Sequence, residues 1–212
     1  MIKIITIERE YGSGGADIAK KLAERLGWQL WDQKLTDEIA RCMDCDSRTV
    51  EERSERIDPL YYRMFKAFLR GSFEGTLNAP RLKIVDAEHI RQVAEHVVTQ
   101  AAKTGNSVIV GRGSAYYLRD RSDTFHVFVY APFEEKVQRL CAQGKSDAEA
   151  SELAETVDRD RAAYIKQHFD VEWPARHFFH LMLNTTLGDE FVVQTILDSV
   201  SLLEKTGATR RD

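Results

Sequence analysis

The chain has 212 residues, of which 43% are hydrophobic and 30% charged, and its 30 Lys plus Arg against 34 Asp plus Glu give a net charge of −4. That length suits one compact core carrying an insertion, and the composition excludes a disordered or fibrous chain. The acidic balance excludes a nucleic-acid polymer held by bulk electrostatics, so an anionic ligand must be bound locally. No apolar run approaches the roughly 18 residues of a membrane span. Met1 to Arg9 reaches charge too early for a signal peptide, and the expectation is a cytoplasmic protein without a membrane partner.

Ile2, Ile4, Ile5 and Ile7 form a β-branched run that reads as a buried strand. Tyr11-Gly12-Ser13-Gly14-Gly15 follows as a turn, and then Ile18, Ala19, Leu22, Ala23 and Leu26 recur at helical spacing until Gly27. Trp28 to Trp31 suits a short strand, with Asp32 placed to cap a helix through Leu35, Ile39 and Met43. On that helix Cys42 and Cys45 make a C-x-x-C. With no second pair, and His89 too distant to complete a ligand spacing, they read as partly buried thiols.

Strand signals then stop, and charged helical segments with Tyr61, Tyr62, Phe65, Phe68 and Phe73 mark an insertion. A helix from about Ala87 to Lys103 leads to a buried strand at Ser107 to Val110 and a second glycine turn, Gly111-Arg112-Gly113. A third strand, Phe125 to Tyr130, ends at Pro132 before a helix through Val137 and Leu140. Next comes a charged stretch, Ser146 to His168, with Asp158-Arg159-Asp160-Arg161 inside it. His180 to Asn184 is the last strand and Val192 to Leu203 the terminal helix. Strands alternating with helices predict a parallel sheet covered on both faces.

A glycine-rich turn leading from a strand into a helix N-terminus binds anions, because backbone N–H groups can approach the ligand and the helix dipole favours negative charge. Gly12, Ser13, Gly14 and Gly15 are placed for this, although such glycines also serve in a merely tight turn. The standard phosphate loop G-x-x-x-x-G-K-[ST] has a lysine after its last glycine, and here that position is Gly15. Arg9 and Arg112, each at the carboxyl end of a buried strand, are the replacement cations, since guanidinium grips phosphate bidentately. As a ligand contact, Arg112 is expected to be replaceable by Ala with little change in melting temperature. The run around Arg159 and Arg161 has two readings, a solvated helix face and a lid whose arginines close over a transferring phosphoryl group.

The strings Arg9 to Gly15, Val108 to Gly113, Asp158 to Arg161 with Tyr164 and Lys166, and Leu183-Asn184-Thr185 together resemble the cytidylate kinase-like family of the P-loop nucleoside monophosphate kinase superfamily. The resemblance implies an α/β three-layer fold over residues 1–212 with a central five-stranded parallel sheet, a helical monophosphate-binding insertion at 36–86 and a helical lid at 145–172. It implies phosphoryl transfer from ATP, with Mg²⁺, to a nucleoside monophosphate such as (d)CMP. On that basis Arg9, Gly12, Ser13, Gly14, Gly15, Ala16 and Asp17 would hold the donor phosphates, and Asp17 stands where a threonine near Mg²⁺ would be. Arg112, Arg159 and Arg161 would carry catalysis. Two alternatives remain at the level of sequence: a nucleotide sensor that lost turnover with its lysine, and a kinase of another small acceptor. Oligomeric state is not legible.

Overall fold

The computed structural model describes residues 1–50 and 87–207. Five strands form one sheet in the order β2-β3-β1-β4-β5, with all pairings parallel. They are β1 (Ile4–Arg9), β2 (Gln29–Trp31), β3 (Ser107–Val110), β4 (Thr124–Tyr130) and β5 (Leu181–Asn184). The described helices are α1 (Gly15–Leu26), α2 (Gln33–Val50), α3 (Ala87–Lys103), α4 (Ser114–Tyr117), α5 (Phe133–Ala142), α6 (Asp147–Phe169) and α7 (Asp189–Thr206). This is the α/β architecture that the alternating pattern predicts. The parallel pairings explain the continuous apolar runs, because strands covered on both faces have no polar side to alternate with.

β1 lies at the centre and is buried at all six positions. Ile5 and Ile7 pack with Val108, Val110, Val127 and Val129 beneath α1 and α7. Ile4 and Ile109 face the other layer, with Leu35 and Ile39 of α2, Val97 and Val98 of α3, and Tyr164 of α6. Each fully buried Ile or Val in these layers contributes on the order of 1.5–3 kcal/mol by leaving water. The parallel arrangement also brings the carboxyl ends of β1, β3 and β4 to one edge. The glycine turns follow there, and ligands bind at that edge in open α/β sheets.

The segment expected to form a lid, 145–172, is for most of its length the 23-residue helix α6. Ser146 starts it by accepting the Glu149 N–H at 3.3 Å. Its first half, through Ala150, Ala154 and Val157, packs against Val137 and Leu140 of α5 and against Tyr11. Its second half, through Tyr164 and Ile165, enters the main core. The expected insertion at 36–86 begins inside α2, and its remainder, including Tyr61, Tyr62 and Phe65, lies outside the described residues. Cys42 of the C-x-x-C is half-buried on α2 against the core, while the side chain of Cys45 is outside the described set.

Candidate active site

The first glycine turn joins β1 to α1. Gly14 is the residue before the helix, in the left-handed region at φ 78° where a side chain would be strained. No side chain caps α1, so the N–H groups of Gly15, Ala16 and Asp17 in its first turn are left without intrahelical partners. Ser13 is fully buried, and its hydroxyl donates to the Glu10 carbonyl at 2.8 Å, which holds the loop shape. Asp17 is exposed on the first turn, and Ala16 is half-buried.

Gly15 explains the absent lysine. A Cβ at this position would lie 2.8 Å from the Arg9 Cβ, 2.9 Å from Val129 Cγ2 and 3.0 Å from Arg9 Cγ. The stem of Arg9 therefore occupies the space that a lysine stem at position 15 needs. Further along the same side chain, a Cβ at Gly111 would overlap the Arg9 guanidinium. Glycine at both positions lets Arg9 run from the end of β1 across the turn after β3.

Arg112 sits in that turn at φ 57°, an uncommon conformation for a residue with a side chain. Its side chain is entirely buried. Nη1 donates to Asp32 Oδ1 at 3.2 Å and to the Val110 carbonyl at 3.2 Å, and Nη2 donates to the Thr36 hydroxyl. Arg9 Nη2 stands 3.9 Å from the same Asp32 oxygen. Burial, followed by repulsion from Arg9, lowers the Arg112 pKa to about 10, which still leaves it cationic at neutral pH. Beside Arg9 on β1, burial pushes the Glu8 carboxyl above the usual range despite the nearby Arg9, Arg161 and Arg112. Burial, and after it the Glu8 charge, raises the Tyr116 hydroxyl pKa.

From the other side, α6 supplies Asp158 and Arg161. Arg161 donates to the Arg9 carbonyl at 2.9 Å and to Asp158 at 3.4 Å, and burial, then Arg9, lowers its pKa to about 10. Asp158 also accepts the Tyr11 N–H at 2.8 Å and Lys136 Nζ at 3.1 Å. Lys136 lies 3.2 Å from Glu10 as well. Burial alone would lower the Lys136 pKa, but Asp158 and Glu10 outweigh it and hold the ammonium above its usual value. Arg159 points elsewhere: its side chain is 66% exposed, and it lies 4.0 Å from Asp160. Two residues apart on a helix are about 200° apart around the axis, so the helix turns Arg161 inward and Arg159 outward.

The sequence reading did not single out Asp32, Lys136 or Arg139 as site residues. Arg139 Nη1 donates to the Ser13 carbonyl at 2.7 Å and to the Thr185 hydroxyl at 2.7 Å, and it lies 3.5 Å from where a Cβ on Gly14 would be. The available signal was a strand, Pro132, and then basic residues three apart on one helix face, the same strand-to-helix logic that located the glycine loop. Among the described residues no group of three or more His, Cys, Asp or Glu side chains could hold a metal by itself. Mg²⁺ in phosphoryl-transfer sites needs only one or two carboxylates, with phosphate oxygens and waters completing the shell. The exposed Asp17 beside the loop is compatible with that role. Among the described residues no helix is long and apolar enough to cross a membrane.

Residues 4–187 match the model of the cytidylate kinase-like family, so the chain belongs to that family and thereby to the phosphotransferases of the kinase superfamily. No curated protein matches the sequence. Among solved structures, an uncharacterised protein from Eubacterium ventriosum ATCC 27560 is 21% identical, covering 95% of this chain and 99% of its own at a TM-score of 0.66. Shikimate kinase from Acinetobacter baumannii is 17% identical, with 94% and 93% covered and a TM-score of 0.51. Shikimate kinase from Bacteroides thetaiotaomicron is 14% identical, with 95% and 99% covered and a TM-score of 0.52. These likenesses establish the shared fold.

Proposed function

We infer that the chain transfers a phosphoryl group from ATP to a nucleoside monophosphate, with (d)CMP the acceptor that the family resemblance favours. The observation that carries this reading is the occupation by Arg9 of the lysine space above Gly15. The loop keeps an uncapped helix N-terminus for phosphate and has exchanged one cation for another. Phosphoryl transfer asks the protein for positioning and charge neutralisation rather than covalent work, and the site is rich in buried guanidinium.

In this reading the N–H groups of Gly15, Ala16 and Asp17 and the Arg9 guanidinium hold the donor phosphates, with Gly12, Ser13 and Gly14 shaping the loop. Arg139 braces that loop from α5. Arg112 meets the acceptor phosphate or the transferred group, and Arg161 meets charge developing between them. Mg²⁺, if bound, would neutralise charge on the donor phosphates, and the exposed Asp17 would be a carboxylate able to hold it directly or through water. Arg159 lies outside this cluster in the described arrangement and serves catalysis only if α6 rotates or moves. α6 acts as a largely pre-docked lid, because Asp158 and Arg161 already tie it to the glycine loop.

The test is ADP release from Mg-ATP across a panel of nucleoside monophosphates, with shikimate as a hydroxyl acceptor for comparison. Turnover with a monophosphate supports the reading and names the base. Turnover with shikimate alone makes the protein a kinase of another small acceptor. Saturable ATP binding without turnover on any acceptor makes it a nucleotide sensor.

A further inference from the structure

Asp32 lies just beyond the end of β2, and its carbonyl accepts the N–H groups of Leu35 at 3.1 Å and Thr36 at 3.3 Å, which fixes its backbone to the first turn of α2. The sheet order β2-β3-β1 sets three neighbouring strand ends side by side. Asp32, Arg112 and Arg9 follow or end those strands in that order. One carboxylate oxygen, Asp32 Oδ1, has Arg112 Nη1 at 3.2 Å and Arg9 Nη2 at 3.9 Å. Two guanidinium groups this close repel each other, and Arg9 contributes to the lowered pKa of Arg112. A shared anion between them offsets that repulsion and sets their separation.

Glycine at 15 and at 111 clears the path by which Arg9 reaches this carboxylate. A neutralising ion pair for Arg112 alone would require neither glycine. We propose that Asp32 is a positioning residue that sets the spacing between the guanidinium serving the donor phosphates and the one serving the acceptor phosphate. The assignment of the two arginines to donor and acceptor rests on the function inferred above. A guanidinium carries five N–H donors in a rigid planar fork, so a carboxylate that grips one edge fixes the direction in which the whole fork faces. Asp32 sets where those donors sit, without touching the reacting atoms.

The experiment compares wild type with Asp32→Asn and Asp32→Glu in the full chain. It measures kcat and KM for ATP with the preferred acceptor, calorimetric binding of inorganic pyrophosphate, and thermal unfolding. Asp32→Asn removes the competing negative charge while keeping the side-chain size, so pyrophosphate is expected to bind roughly tenfold more tightly. Loosening the arginine pair is expected to lower kcat on the order of 10²-fold, with KM for ATP changed by less than about threefold. Asp32→Glu restores the charge about one methylene away, so pyrophosphate affinity returns towards the wild-type value while kcat stays low. A carboxylate that only supports the fold would change neither ratio in the folded fraction. Unchanged kcat, unchanged or weaker pyrophosphate binding in Asp32→Asn, or failure of both variants to fold would overturn the proposal. Absence of kinase turnover in wild type would overturn the inferred function alone, and the pyrophosphate comparison would still decide the role of Asp32.

Discussion

The exchange of Arg9 for a loop lysine can be tested by moving the cation back. In the wild-type background even Gly15→Ala places a Cβ at 2.8 Å from the Arg9 Cβ and 2.9 Å from Val129 Cγ2, distances that force neighbours to move. Overpacking of this kind costs about 1–3 kcal/mol, and at roughly 2–4 °C per kcal/mol for a chain of this size the melting temperature should fall by about 2–12 °C. Gly15→Lys should be at least as destabilising. Arg9→Ala removes the cation proposed for the donor phosphates and should reduce turnover on the order of 10²–10³-fold, the range for losing one positioned charge-stabilising group. In the double variant Arg9→Ala/Gly15→Lys one of the three close contacts disappears, the one to Arg9 Cγ, and the rest of the arginine stem beyond it makes way for the lysine, while the contacts to the residue-9 Cβ and to Val129 Cγ2 remain. The stability losses should therefore be less than additive, with a coupling of about 0.5–3 kcal/mol, and ADP release should exceed that of Arg9→Ala alone. Calorimetric unfolding and the coupled ADP assay read both quantities. If Gly15→Ala melts with wild type, or if the double variant shows strictly additive stability and no regained turnover, Arg9 does not occupy the lysine's place and the reasoning fails.

The remaining variants separate positioning from support. Arg112→Ala leaves Asp32 and the Thr36 hydroxyl without their main donor in a buried site; it should cost about 3 kcal/mol as well as turnover, which reverses the near-unchanged melting temperature expected from sequence, and calorimetry decides between them. Arg161→Ala should lower turnover on the order of 10³-fold, whereas Arg159→Ala, on the exposed side of α6, should leave both turnover and melting temperature near wild type; equal effects in the coupled assay would refute the inward and outward assignment. Arg139→Ala should weaken ATP binding measured by calorimetry, because the Ser13 carbonyl and Thr185 lose the brace at 2.7 Å; unchanged affinity would limit Arg139 to packing. Glu8 has its pKa raised by burial above the unfolded value of 4.5, so its protonated form favours folding and that contribution is lost as pH rises through its folded-state titration. Glu8→Gln should therefore gain stability over wild type at neutral pH, and the gain should shrink as pH falls towards 4.5; a gain independent of pH would show that Glu8 ionisation is not the cause.

The sheet and its site edge were legible in the sequence because the signals are local. Continuous β-branched runs at Ile4 to Ile7 and Ser107 to Val110 identify doubly covered strands, and the glycines after each mark where backbone must approach a ligand or turn sharply. The same locality exposed Gly15 as a departure from the standard loop. What filled the vacated space depended on tertiary contact: Arg9 precedes Gly15 by six residues but meets it only because the loop folds α1 back onto β1, with Val129 of β4 closing the other side. Asp32 read as a helix cap, and no periodicity could show that its carboxylate faces Arg112, 80 residues away, because that contact is made by strand order. Likewise Arg159 and Arg161 read as one pair of lid cations, while the packing of α6 against α5 and the loop turns them to different sides. Helical phase relative to a partner is a property of packing, and packing joins residues that the chain itself keeps apart.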